Sequence, residues 1–96
     1  MVLIFISGVS AQEIARVQEL KGVVVDENKA PISFANVVVL KSDSTYIAGT
    51  VTDENGLFVF RENCEGSKFI KISSIGYYSQ IIDIPLTGDF GIIALD

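Results

Sequence analysis

The chain has 96 residues, 49% hydrophobic and 20% charged, with a formal net charge of −5. That is room for one globular domain, and seven scattered basic residues argue against a nucleic-acid surface, which needs clustered Lys and Arg facing phosphate. With no histidine and one cysteine, the commonest general base, an internal disulfide and every multi-cysteine zinc pattern are excluded.

Residues 1–11, MVLIFISGVSA, are uncharged, nearly all apolar, and end in small side chains. An apolar run of about ten residues is too short for a spanning helix, which needs roughly 20. It fits the apolar part of a secretory signal with Val9 and Ala11 before the cleavage point, leaving Gln12 as the first mature residue. The basic segment expected ahead of it is missing, so residues 1–11 read as a truncated signal peptide on an exported chain. The competing reading is a buried first strand. Residues 12–19 are a polar lead-in, and residues 20–96 form the domain.

From Leu20 the hydrophobic pattern has period two. Leu20–Val25 is the first predicted strand, rich in β-branched residues. Asp26–Pro31 follows with turn chemistry, closing on a proline that cannot donate to a ladder. Phe34–Leu40 is the second strand, with Ala35, Val37 and Val39 on one side and Phe34, Asn36 and Val38 on the other. Tyr46–Thr52 is the third and Leu57–Phe60 the fourth, with Phe58 and Phe60 sharing a face. After the loop 61–67 come Lys68–Ile75, Tyr77–Ile84 and Phe90–Leu95, with breaks at Gly76 and at 85–89. No sustained helical stripe separates these runs. Seven short strands with regular turn signals predict an all-β, antiparallel seven-stranded sandwich. Its expected core is Val24, Ala35, Val37, Val39, Phe58, Phe60, Ile70, Ile72, Ile82, Ile84, Ile93 and Leu95.

The triplet Asp-Glu-Asn occurs twice, at 26–28 and at 53–55. Turn formation is the favoured reading. An Asp side chain can accept from the backbone two residues on, and Asn55 and Gly56 tolerate positive φ in a bulged hairpin turn. The first triplet is expected to do the same less tightly. The rival reading is a calcium site, since Ca²⁺ takes carboxylate and carbonyl oxygens, but neither triplet has the alternating acidic spacing of an EF-hand loop. Carboxylates working as general acid and base must face each other across a cleft, which this spacing does not suggest. No catalytic, metal or cofactor residue is assigned. Cys64 reads as a loop thiol. Tyr46, Tyr77 and Tyr78 are candidates for a sugar-stacking platform, although adjacent Tyr77 and Tyr78 must point to opposite faces of a strand.

The motifs G-x-V-x-D, P-x-x-x-A-x-V, T-D-x-x-G-x-F and I-G-Y fall on Gly22, Val24, Asp26, Pro31, Ala35, Val37, Thr52, Asp53, Gly56, Phe58, Ile75, Gly76 and Tyr77. Over about Leu20 to Leu95 the chain resembles the carboxypeptidase regulatory-like domain, a prealbumin-like sandwich. The variant it is most similar to precedes the plug and barrel of TonB-dependent outer-membrane receptors. The loop before the fifth strand departs from the family's proline-glycine turn. The resemblance implies a non-catalytic accessory module, periplasmic and associated with the outer membrane, either a fragment of a longer receptor or a stand-alone module. It implies no cofactor, and a partner that is another protein or the module's own barrel. Gly22, Asp26, Pro31, Asp53, Gly56, Gly76 and Tyr77 would then be structural turn and motif positions. The alternatives are a carbohydrate-binding module, with a glycan as partner, and a regulatory domain attached to an enzyme.

Overall fold

A computed structural model describes residues 19–61 and 66–96. The proposed signal segment, most of the lead-in and Cys64 lie outside the described residues. Within them the chain forms seven strands and no helix: β1 (Leu20–Val25), β2 (Asn36–Lys41), β3 (Tyr46–Val51), β4 (Leu57–Phe60), β5 (Ser67–Ser73), β6 (Gln80–Asp83) and β7 (Asp89–Ala94).

They make two sheets, β4-β1-β7 and β3-β2-β5-β6. Four pairings are antiparallel, and β1–β7 is parallel, a departure from the expected all-antiparallel order. The chain enters β1 and β7 from the same end of the sandwich, where the Lys21 N–H donates to the Gly88 carbonyl at 2.9 Å. Its first and last strands therefore run the same way.

Period two puts alternate residues against the facing sheet. Val24, Ala35, Val37, Val39, Phe58, Phe60, Ile70, Ile72, Ile93 and Leu95 are buried as expected, and Leu20 and Ile32 join them. Ile82 on β6 and Ile84 just past its end pack against this core but stay half-buried, because β6 is an edge strand with one neighbour. Phe58 is the largest fully buried side chain and meets Phe60 edge-on at 6.5 Å and Phe90 at 5.8 Å.

Three boundaries differ from the sequence pattern for identifiable backbone reasons. Strand β2 starts at Asn36, not Phe34, because Phe34 takes φ 61°. That is the left-handed region, which a strand residue cannot occupy. Strand β5 stops at Ser73 and β6 starts only at Gln80. Between them Gly76 has φ 91° and the Tyr77 N–H donates to the Ser74 carbonyl at 3.1 Å. The predicted strand ends at Ile75 and Tyr77 are thus parts of one turn.

Candidate functional site

One end of the sandwich gathers nearly every residue that the motifs single out. It is built from the β1–β2 loop, the β3–β4 turn and the β5–β6 loop. Their common location follows from the registers: β1 ends at Val25, beside Ala94 of β7, and Asn36 pairs with both Val51 and Ser73.

The two Asp-Glu-Asn triplets form the same loop twice. Asp26 Oδ1 accepts from the amides of Asn28 at 2.8 Å and Ala30 at 2.9 Å. Asp53 Oδ1 accepts from the amides of Asn55 at 2.8 Å and Leu57 at 3.0 Å. In each loop the Asp amide donates to the carbonyl four residues on, and its carbonyl accepts from the amide three residues on. The residue at that third place is left-handed: Lys29 at φ 69° and Gly56 at φ 77°. The first loop is as fully bonded as the second, where looser geometry was expected. It carries a lysine where glycine would be unstrained.

Gly56 is the keystone between the loops. Its carbonyl accepts from the Val24 amide at 2.7 Å, and the Val24 carbonyl accepts from the Ile32 amide at 2.9 Å. A Cβ on Gly56 would run into that Val24 carbonyl oxygen and would meet the Pro31 ring at 3.2 Å. Gly22 serves differently, within β1: a Cβ there would lie 2.8 Å from the Phe58 ring and 3.1 Å from Phe90 Cβ, so its bare backbone is the floor under Phe58.

Thr52, which sequence reasoning treats only as a motif letter, is the one buried polar residue among the described residues. Its hydroxyl donates to the Ile32 carbonyl at 2.6 Å and accepts from the Ala35 amide at 2.9 Å. Its amide donates to the Ala35 carbonyl at 3.0 Å, and its carbonyl accepts from the Phe34 amide at 2.9 Å. These four bonds clamp residues 32–35 onto the turn. The clamp holds Phe34 left-handed, with the residue 72% exposed. A bulky residue at positive φ is a true backbone outlier, sustained only where its surroundings over-determine it. The signal in the sequence is the Thr-Asp pair itself, a short β-branched hydroxyl opening a turn.

Tyr77 packs on the core, and Tyr78 is exposed with its amide donating to the Asp96 carbonyl at 2.8 Å. Tyr46 stands opposite Leu40, at the other end of the β3–β2 ladder, so the three tyrosines do not converge. Among the described residues no three His, Cys, Asp or Glu side chains cluster as a metal site would require. Titration is perturbed at Asp43, in the β2–β3 turn at the opposite end. The Thr45 hydroxyl and then its amide, at 3.0 Å from Oδ1, bond the carboxylate and hold it below the usual aspartate range.

The profile of the carboxypeptidase regulatory-like domain matches residues 19–90. No curated protein matches. Among solved structures the chain is similar to the TIE protein of Bacillus anthracis, at 17% identity and TM-score 0.56, over 80% of this chain and 15% of that one. It is also similar to a 9R-lipoxygenase from Cyanothece PCC8801, at 16% identity and TM-score 0.60, over 98% of this chain and 18% of that one. Identities this low speak for the fold alone. The chain spans less than a fifth of either structure's length.

Proposed function

This chain belongs to the carboxypeptidase regulatory-like domain family, and on that premise we propose that it is an exported, non-catalytic interaction module. In this reading it is the periplasmic N-terminal extension of a TonB-dependent outer-membrane receptor, and it works by presenting a stiff loop end to a partner protein or to its own barrel. The uncharged segment 1–11 supports export. The carrying observation is how the loop end uses its side chains. Asp26 and Asp53 each bind two backbone amides, which makes them braces rather than reagents. Thr52 meanwhile holds the backbone under an exposed phenylalanine, Phe34, in the left-handed region. Backbone ordered before contact loses little entropy on binding, and an exposed aromatic on it can serve as an anchor.

The test is cell fractionation of the native source with an antibody raised against this chain, with N-terminal sequencing of the recovered protein. The reading expects an outer-membrane band far larger than this chain, processed to begin at Gln12. A cytoplasmic band that retains residues 1–11 would overturn it.

A further inference from the structure

The outer face of the larger sheet is not the polar surface that a solvated antiparallel sheet normally shows. The registers set its outward residues in rows across the strands. One row runs Tyr46, Leu40, Phe69 and Asp83, and the next runs Gly49, Val38, Lys71 and Ile81. Tyr46 and Ile81 are 63% and 62% exposed. The Tyr46 ring lies down over Gly49: a Cβ there would sit 3.3 Å from its Oη and 3.5 Å from its Cε1. The glycine thus flattens the aromatic onto the sheet instead of letting it stand into solvent.

We infer that this face is a self-association surface, on which a second copy of the chain packs sheet against sheet about a two-fold axis. The choice of occupant rests on charge and area. The chain carries −5 overall, yet these two rows hold one lysine and one aspartate, so two copies can approach without repulsion. An axis running across the strands between the rows sets Leu40 against Val38 of the second copy. It also lays each Lys71 over the other copy's Phe69, with that copy's Asp83 alongside. Such a contact is isologous and self-complementary, as a two-fold interface must be.

Four strands about 4.8 Å apart, with outward residues about 6.8 Å apart along each, give a footprint of roughly 400 Å² per copy. The pair would bury about 800 Å², at the weak end of specific interfaces, so association belongs near 0.1 mM, roughly, rather than in the nanomolar range. The outer face of the smaller sheet is narrower; its exposed Ile92 (75%) serves as the control position.

The experiment is sedimentation velocity on the full chain from about 10 μM to about 1 mM. The parent should shift from monomer toward dimer across that range. Ile81→Asp, which the two-fold axis sets against Asp83 of the second copy, should weaken the association by about 10-fold or more, and Ile92→Asp should leave it unchanged. Lys71→Asp should also weaken it, while Lys71→Asp with Asp83→Lys should restore it to within about 3-fold of the parent. Amide spectra of each variant establish that it is folded, and the charge reversal stands in if Ile81→Asp is not. A parent that stays monomeric at the highest concentration overturns the inference, as does loss of association on Ile92→Asp but not on Ile81→Asp. The Val38 and Phe69 amides should shift on dilution. If they respond to added cellohexaose and not to dilution, the face takes sugar and not a second copy.

Discussion

Replacing Thr52 by Val removes one hydroxyl and almost no volume, and the structure says how much that should cost. The Thr52 hydroxyl satisfies the buried Ile32 carbonyl at 2.6 Å and the buried Ala35 amide at 2.9 Å. Each orphaned buried group costs about 1–3 kcal/mol. The added methyl group returns about 1 kcal/mol of apolar burial. The net loss is about 1–5 kcal/mol, centred near 3, a large share of the roughly 5–15 kcal/mol that holds a domain folded. In urea the midpoint should fall by about 2 M at an unchanged slope of roughly 1–2 kcal/mol/M, and in a thermal scan by about 10–25 °C. Thr52→Ser is the discriminating control. It keeps both hydrogen bonds and gives up one methyl group, so it should cost only about 1 kcal/mol. If Val proves as stable as Thr, or Ser proves worse than Val, the hydroxyl is not what clamps residues 32–35, and the reason given for the pose of Phe34 fails with it.

Lys29→Gly should stabilise the domain by up to about 1 kcal/mol, because φ 69° is strained for lysine and free for glycine; an unchanged urea midpoint would count against the strain. Phe58→Ala should cost about 3–5 kcal/mol. Gly22→Ala should also destabilise, yet the two changes together should cost less than their sum, since the Gly22 Cβ clash is with the Phe58 ring; a urea double-mutant cycle with strict additivity would refute that contact. At Asp43 the folded carboxylate ionises below its unfolded value. Its contribution is therefore present above the ordinary aspartate range, near about 3.9, and disappears as pH falls through the lower folded value. An NMR titration should place Asp43 below that range, and Thr45→Val should move it back up; an ordinary midpoint in the parent would contradict the Thr45 bonds.

Much of this fold is legible in the chain because the forces behind it are local. Alternation in "FANVVVL" and "KFIKIS" identifies which side chains turn inward whatever the neighbouring strand is, since successive Cβ atoms must point to opposite faces. The Asp-Glu-Asn turns are equally self-contained. An Asp oxygen reaches amides two and four residues along its own chain, so both bends can be written down without the rest of the molecule. The equivalence of the two bends was less visible, because Lys29 does not advertise a left-handed backbone as Gly56 does.

What tertiary structure alone decided is what depends on partners far away in sequence. Thr52 looks like any strand-end threonine until Ile32 and Ala35 fold over it and its hydroxyl becomes the partner of both groups. Phe34 reads as a strand residue by pattern, and the same long-range bonds turn it out of the ladder. The parallel β1–β7 pairing arises from where the chain re-enters the smaller sheet, and no local signal encodes that. The apolar rows on the outer face are assembled from four strands, one or two residues from each. Side-chain periodicity is a property of a single segment, whereas register, burial of a lone hydroxyl and the make-up of a surface are properties of how segments meet.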